Sequence, residues 1–363
     1  FLEENTKQRR EALLGVGSSL SLWLNREKKA LEREQVEVDP QFEAIKEEAL
    51  TFFKLNLLEV LIPILMETKV NAILGIGKKE NLQAYTLKDI SLLETIGSQI
   101  GITIDNALHH EDIVEKERLK QELELGREIQ MNLLPKELPQ ISGFSIDGLM
   151  LPAKENGGDY YDFITLPKRD ELAIAIGDVS GKGVAAGLLM AMAKTAIHTL
   201  SQESRSPKEV LLRTNQILYQ HIGGQKFMTM LYFHYKASEK AIYYSSAGHE
   251  HILIYHAKTD SVESIISGGF MLGMLKDIDS YLEEHKITLE PKDKILLYTD
   301  GVTDAENTQG ERYSLDRLKG SFKTNSSKAP FEMIHAIKTE VYEFIATQPQ
   351  YDDITLVGME AEK

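Results

Sequence analysis

Hydrophobic and polar positions recur with different periods in three successive regions of the chain. In the first region, residues 1–105, a helical period covers Glu11 to Arg33 and a β-rich stretch covers Val60 to Ile76. An amphipathic helical pattern follows over Thr86 to Ile104. These patterns predict a small α/β domain over residues 1–105.

The second region, residues 106–134, has few turn formers and many charged side chains, which is typical of a solvent-exposed helix. Thr86, followed three positions later by Asp89, is close to the capping box that begins a helix, so we expect one continuous helix ending near Leu134. A helix of this length cannot bury its apolar face within one small domain, and a partner helix is the usual remedy. We therefore expect a linker helix and a homodimer formed through it and the N-terminal domain, the alternative being a solvated connector.

The third region, residues 135–363, contains many strand patterns and few helical ones. Ten strands are predicted, at Phe144–Leu151, Tyr160–Leu166, Glu171–Asp178, Met228–Tyr235, Ala241–Ala247, His251–His256, Ser261–Ile266, Lys286–Leu289, Lys294–Asp300 and Ile354–Met359. Helices are predicted at Val184–Leu200, Pro207–His221 and Phe331–Ala346. Many strands with few helical crossovers favour antiparallel sheets packed face to face with helices outside, which is an α+β fold.

Composition narrows the possible functions. The 363 residues include no cysteine, which excludes a disulfide scaffold, a cysteine nucleophile and cysteine-ligated metals, and fits a reducing compartment, so we expect a cytoplasmic protein. The net charge of -15 opposes binding to nucleic acid or anionic lipid, and no basic patch offsets it, so no nucleic-acid partner is expected. No apolar run approaches the ~20 residues that span a bilayer, so no membrane segment is expected. Because the chain begins at Phe1 rather than Met, we expect it to be a piece of a longer protein.

Four acidic turns in the third region share one design, an aspartate at the end of a strand, usually with glycine beside it. They are Gly157–Asp162, Gly177–Gly183, Tyr298–Asp304 and Asp352–Thr355. Glycine lets the backbone approach a ligand closely, and hard divalent cations prefer carboxylate oxygens held rigidly. A single Asp-Gly pair after a strand is usually only a turn, but four such turns in one domain favour a divalent-metal site.

Taken in order, these turns resemble the motifs of the bacterial metal-dependent (PPM-type) serine/threonine phosphatases of the sporulation and stress-response class, which regulate sigma-factor partner switching. The resemblance spans roughly residues 118–360 and includes the helix segment Ile129–Pro135 and the motif Ser246–His249. It implies an αββα four-layer sandwich for a phosphatase domain over residues 135–363. Residues 56–110 separately resemble the C-terminal half of a GAF sensor domain, so the N-terminal domain is expected to be GAF-like.

The resemblance also implies the ligands of two Mn²⁺ or Mg²⁺ ions. Asp178 would bridge the ions, and Asp159 and the carbonyl of Val179 would serve the first. Asp300 and Asp352 would serve the second ion. Asp178 and Asp159 would thus be catalytic, through a metal-bound water that attacks phosphorus. The expected outer shell consists of Asp162, Gly301 and Asp353.

The implied reaction is hydrolysis of phosphoserine or phosphothreonine on a regulatory protein of the anti-sigma-factor-antagonist (STAS) type, controlled by the sensor domain. Two alternatives stay open: a two-metal phosphoesterase acting on small molecules, and a catalytically silent ligand-sensing scaffold. The general acid is unassigned, with His249 or a metal-bound water as alternatives. Lys182 could touch the phosphate or be solvated, and Glu250 stands where the family usually has proline.

Overall fold

The computed structural model describes residues 14–15, 17–153, 157–168, 170–203 and 205–362. The chain divides into two compact units, Phe1–Leu119 and Lys120–Lys363. Only the second unit contains the four acidic turns.

The first unit contains a small antiparallel sheet and short helices. Its elements are α1 (Ser19–Glu27), β1 (Leu31–Glu32), α2 (Arg33–Val38), α3 (Lys46–Asn56), β2 (Val60–Met66) and β3 (Lys69–Ile76), with a 3-10 turn at Pro40–Phe42. The strands pair in the order β1-β2-β3. The helix expected from Glu11 to Arg33 is wrong at its C-terminal end, because Lys28 adopts a left-handed backbone (φ 53) that ends α1. The start of that helix, at residues 11–13, lies outside the described residues.

Helix α4 (Leu87–Leu133) is continuous over 47 residues, close to the predicted bounds. The N–H of Thr86 donates to Asp89 Oδ2 at 2.7 Å, and the N–H of Asp89 donates to Thr86 Oγ1 at 3.3 Å, so the predicted cap forms in both directions. Several apolar side chains of α4 are exposed, among them Leu108, Leu119 and Leu125. The roles of α4 as a linker and as a dimer contact stay predictions.

The second unit is built on two five-stranded antiparallel sheets. Its strands are β4 (Phe144–Leu151), β5 (Tyr160–Thr165), β6 (Glu171–Val179), β7 (Met228–Lys236), β8 (Ala241–Ala247), β9 (Ile252–His256), β10 (Ser261–Ile265), β11 (His285–Thr288), β12 (Lys294–Tyr298) and β13 (Ile354–Ala361). One sheet has the order β10-β9-β12-β13-β4 and the other has the order β11-β8-β7-β6-β5. All ten predicted strands are present, with ends displaced by at most two residues.

Helices cover the outer faces of both sheets. They are α5 (Val184–Ser201), α6 (Pro207–Ile222), α7 (Asp300–Thr303), α8 (Ser314–Thr324) and α9 (Pro330–Ile345). Pro207 is the first residue of α6, and the side chain of Ser206 accepts the N–H of Glu209, as the sequence predicts. Two 3-10 turns, Ala237–Glu239 and Asp279–Tyr281, complete the unit.

The alternation of side chains along β6 explains the layering. Leu172, Ile174 and Ile176 point into a core shared by the two sheets. Ala173 and Ala175 point the other way, into a core formed with α5 and α6. A third core lies between the other sheet and helices α8 and α9. The unit is therefore an α+β sandwich with layers in the order αββα, as predicted.

Helix α5 is the one helix in the described ranges whose length and apolar composition would suffice to cross a membrane. Its side chains Ala186, Met190, Ala193 and Ile197 are fully buried and belong to the core beneath the second sheet. This burial is what the core helix of a folded domain requires.

Candidate metal centre

Carboxylates from both sheets converge at one end of the sandwich. Asp159 immediately precedes β5 and Asp178 lies near the end of β6, both in one sheet, whereas Asp300 follows β12 and Asp352 precedes β13 in the other. The charges of Asp300 and Asp352 both act on Asp178. The structure thus brings the four aspartates predicted as ligands together.

Gly158 makes the close approach of two of these turns possible. A Cβ added to Gly158 would lie 2.6 Å from the carbonyl oxygen of Val179 and 2.9 Å from Asp178 Oδ1, too close for any side chain. The N–H of Val179 in turn donates to the Gly158 carbonyl at 3.2 Å. The turn before Asp159 is therefore held directly against the predicted carbonyl ligand Val179.

Asp159 is buried and held by two hydroxyl groups. Its Oδ2 accepts from Thr299 Oγ1 at 2.7 Å and also from Thr355 Oγ1. Burial raises the pKa of Asp159 well above its ordinary value, and the charges of Asp178 and Asp353 raise it further. The two threonines come from the ends of β12 and β13, so the opposite sheet orients this carboxylate.

Asp178 and Asp300 also have raised pKa values. Burial, followed by the charges of Asp300 and Asp352, raises the pKa of Asp178 to about 7. Burial and the Asp352 charge raise the pKa of Asp300 above its ordinary value. Carboxylates that disfavour one another's ionisation have too little positive charge beside them, and a divalent cation would supply it.

Asp353 holds the backbone of the first acidic turn. Its Oδ1 accepts the N–H of Ala153 at 2.8 Å, and its Oδ2 accepts the N–H of Gly158 at 2.7 Å and that of Asp159 at 3.4 Å. Its backbone also contacts the turn after β12, because a Cβ added to Gly301 would lie 1.9 Å from the Asp353 carbonyl oxygen. Asp353 and Gly301 thus shape the turns that carry the predicted ligands.

Asp162, predicted in the outer shell, is engaged elsewhere. Its Oδ2 lies 2.8 Å from Lys194 Nζ on α5 and accepts from the hydroxyl of Tyr160 at 3.1 Å. Alternation along β5 places Asp162 on the same face as Tyr160, toward α5. Asp162 therefore forms a partly buried ion pair beneath the helix layer rather than a contact with the other acidic turns.

The donor set fits a hard divalent cation. It consists of carboxylate oxygens and one backbone carbonyl, the ligands that Mg²⁺ and Mn²⁺ prefer. Within the described ranges, no three His, Asp or Glu side chains are already arranged to hold an ion.

Lys182 and His249 have surroundings that the sequence left open. Lys182 Nζ lies 3.1 Å from Asp352 Oδ2 and donates to the carbonyl of Tyr351, so this lysine is paired rather than solvated. Burial lowers the pKa of His249 to about 3, and its Nδ1 lies 3.0 Å from Thr229 Oγ1. A ring that is neutral at pH 7 has no imidazolium proton to donate, which disfavours His249 as the general acid.

Two residues, Glu250 and Gln130, have surroundings that the sequence motifs did not predict. Glu250 is a further acid near the cluster, since burial and the charges of Asp300 and Asp304 raise its pKa. Gln130 on α4 is buried, and its amide bonds both backbone groups of Gly157. In the sequence, Gln130 was noted only as part of the helix segment Ile129–Pro135, and that motif did not predict its contact with Gly157.

Comparisons with known proteins agree with this arrangement. The family of Stage II sporulation protein E (SpoIIE) matches residues 168–362. The chain is 31% identical over 245 residues to the phosphoserine phosphatase RsbU of Bacillus subtilis (strain 168), covering 67% of this chain and 70% of RsbU. It is 30% identical over 265 residues to the protein IcfG of Synechocystis sp., covering 66% of this chain and 41% of IcfG.

Solved structures with the same fold include two PP2C domains. The SiaA-PP2C domain of Pseudomonas aeruginosa superposes with a TM-score of 0.61 at 20% identity, covering 68% of this chain and 99% of that one. The PP2C phosphatase domain of SpoIIE from Bacillus subtilis, solved with a fragment of its regulatory domain, gives 0.53 at 17% identity, covering 61% and 64%. At these identities the likeness establishes a PP2C-like fold.

Proposed function

On the premise that the chain belongs to the SpoIIE family and is a PPM-type protein serine/threonine phosphatase, we propose that it hydrolyses phosphoserine or phosphothreonine on a regulatory protein of the anti-sigma-factor-antagonist type. Enzymes of this family depend on Mg²⁺ or Mn²⁺. The observation that carries the proposal is the convergence of acids from two sheets, which disfavour one another's ionisation.

We propose two Mn²⁺ or Mg²⁺ ions as the cofactors. Asp178 would contact both ions. Asp159 with the Val179 carbonyl would hold one ion, and Asp300 with Asp352 the other. When bound, such cations neutralise phosphate charge and lower the pKa of a water that serves as nucleophile.

The chain's own residues position this chemistry. Thr299 and Thr355 fix the orientation of Asp159, so one of its oxygens is already directed by two donors. Asp353 fixes the backbone of Gly158 and Asp159. Rigid placement of this kind is what makes a catalytic site effective, because little reorganisation is left for the reaction itself.

The substrate class rests on the relatives. RsbU is named a phosphoserine phosphatase, and the chain covers 70% of it. A structure of the RsbU and RsbW domains of Rv1364c from Mycobacterium tuberculosis also matches, with a TM-score of 0.52 at 25% identity. These likenesses support a phosphorylated STAS-type protein as the substrate, and we place the enzyme in the cytoplasm as part of the same proposal.

Regulation by the N-terminal unit is part of the proposal. We infer that residues 1–105 form a GAF-like sensor, that the chain dimerises through this domain and α4, and that α4 conveys the signal. The exposed apolar side chains of α4 support a partner helix. The contact between Gln130 and Gly157 supports transmission, since it joins α4 to the turn beside Asp159.

A phosphatase assay on the full chain tests the proposal. A serine-phosphorylated STAS-domain protein, p-nitrophenyl phosphate and nucleoside monophosphates would be offered with Mn²⁺, with Mg²⁺ and with a chelator. We expect metal-dependent release of phosphate from the phosphoprotein, abolished by Asp178→Asn. Hydrolysis of nucleotides in preference to the phosphoprotein would favour a small-molecule phosphoesterase, and absence of activity with every substrate would favour a scaffold.

A further inference from the structure

Lys182 connects the acidic turns of the two sheets. It lies in the turn after β6, and its Nζ is 3.1 Å from Asp352 Oδ2, in the turn before β13. The same ammonium donates to the Tyr351 carbonyl. The other Asp352 oxygen, Oδ1, accepts the N–H of Asp353 at 3.0 Å, so both oxygens of this carboxylate have partners.

The turn around Lys182 is anchored at Ser180 and faces open space at Gly183. Lys226 Nζ donates to the Ser180 carbonyl at 2.9 Å and provides the anchor. Gly181 and Gly183, on either side of Lys182, adopt left-handed backbone with φ of 82 and 87. A Cβ added to Gly183 would meet no atom within 4 Å, so the space on that side is open. The Lys182 ammonium can therefore change partners without displacement of β6.

A divalent cation and the Lys182 ammonium compete for the same carboxylate. Asp352 is a proposed ligand, and the charge of Lys182 also acts on Asp300, the other ligand of that ion. Two positive charges sharing one carboxylate oxygen at such short range repel strongly in a partly buried site. Binding of the cation would displace the ammonium.

We propose that Lys182 is an exchangeable counter-ion, which neutralises Asp352 until a divalent cation binds there and then contacts an oxygen of the substrate's phosphoryl group. This inference rests on the proposed function, from which it takes the cation and the phosphorylated substrate. A lysine ammonium is a suitable point-charge partner for phosphate. Helix α5 begins at Val184, two positions on, and its unpaired N–H groups favour an anion at the same place.

Calorimetric titration of the full chain with MnCl₂, without substrate, tests the displacement. We expect Lys182→Gln to bind Mn²⁺ at least about threefold more tightly than the wild type, because the competing charge is gone. Lys182→Arg, which retains the charge, should bind as the wild type does. The matched control is Lys208→Gln. Lys208 lies on α6 and forms an ion pair with Asp279 at 3.0 Å, so its replacement should leave the affinity for Mn²⁺ unchanged. Unchanged or weaker binding by Lys182→Gln would overturn the displacement.

Inhibition by inorganic phosphate tests the second contact. With saturating Mn²⁺ and p-nitrophenyl phosphate as substrate, Lys182→Gln should raise the inhibition constant of phosphate about tenfold, and Lys182→Arg should stay within about threefold of the wild type. Equal inhibition of the Gln variant and the wild type would overturn the phosphate contact. If the wild type itself neither binds Mn²⁺ nor releases phosphate, the proposed function fails. If the wild type does both and Lys182→Gln also behaves as the wild type, only the inference about Lys182 fails and the proposed function stands.

Discussion

The side-chain amide of Gln130 forms hydrogen bonds with both the carbonyl and the N–H of Gly157. Gln130 Nε2 donates to the Gly157 carbonyl at 2.6 Å, and the Gly157 N–H donates to Gln130 Oε1 at 3.2 Å. Gln130 lies one turn before the end of α4, and Gly157 lies two residues before Asp159. The position of this helix end is thus tied directly to the turn that carries a predicted metal ligand.

Replacing Gln130 with Leu should leave both backbone groups of Gly157 without partners. We expect a loss of about 1–3 kcal/mol in the free energy of unfolding, because buried polar groups that lose their hydrogen bonds keep their desolvation cost. The affinity for Mn²⁺ should fall as the turn before Asp159 loosens. Urea unfolding and Mn²⁺ calorimetry measure the two effects. Gln121→Leu, at an exposed position of the same helix, is the control, and equal behaviour of both variants would contradict a role for the Gln130 contact.

Gly158→Ala should abolish metal binding. The new methyl group would lie 2.6 Å from the Val179 carbonyl oxygen and 2.9 Å from Asp178 Oδ1, so the two turns would have to separate. Gly320→Ala is the matched control, because nothing lies within 4 Å of its added Cβ and it is inside α8, where alanine should add about 1 kcal/mol of stability. Calorimetry with Mn²⁺ compares the two, and wild-type affinity in Gly158→Ala would refute the close approach of the turns.

Asp353→Asn should destabilise the first acidic turn, Gly157–Asp162, while leaving its backbone conformation largely unchanged. The carboxylate accepts from Ala153, Gly158 and Asp159, and the amide cannot accept on its nitrogen. Loss of a charged acceptor should cost about 1.5–3 kcal/mol in the free energy of unfolding, measured in metal-free buffer. The matched control is Asp277→Asn, whose carboxylate accepts one N–H at an exposed turn. A cost no larger than that of the control would show that Asp353 does not hold the turn.

The stability of the metal-free protein should fall as the pH rises toward 7. The pKa of Asp178 is raised to about 7 from 3.8, so between these values the folded state retains a proton that the unfolded state has lost. The resulting loss in the free energy of unfolding is absent below pH 3.8 and complete above pH 7, where it is on the order of 4 kcal/mol. Thermal unfolding in chelator at pH 5, 6.5 and 8 measures it. Added Mn²⁺ should flatten the profile. Asp178→Asn should make the fall shallower without abolishing it, because the pKa values of Asp159 and Asp300 are also raised. Stability that rises over this interval would contradict the raised pKa of Asp178.

Much of the second unit could be predicted because its strands carry strong signals. β6 reads as a continuous apolar run because both of its faces are buried, and β8 has the predicted bounds. Helix α8 was missed because it is short and contains Gly320, which weakens the helical pattern. In the first unit, the left-handed Lys28 that ends α1 has no glycine signal in the sequence.

The convergence of the acidic turns could be predicted from the sequence, whereas the residues that support them could not, and the assignment of individual metal ligands stays a prediction. The convergence of Asp159, Asp178, Asp300 and Asp352 followed from motifs at strand ends. The partner of Asp162 was not predictable, because Lys194 lies 32 positions away on a helix whose rotation no motif specifies. The same holds for Gln130 and Gly157, whose contact depends on where α4 ends relative to a turn 27 residues later.

The split of the acids between two sheets makes their spacing sensitive to sliding. The offset of β6 against β12 and β13 is set by the apolar interior between the sheets together with a few polar contacts at the cluster, such as the Thr299–Asp159 hydrogen bond and the Lys182–Asp352 ion pair. A shear of an ångström in that interior would open or close the distance from Asp178 to Asp300 by a comparable amount. Bulky substitutions at Ile174 or Ile295, which are buried between the sheets and away from the predicted ligands, should therefore change the catalytic rate by changing the distance between the carboxylates of the two sheets.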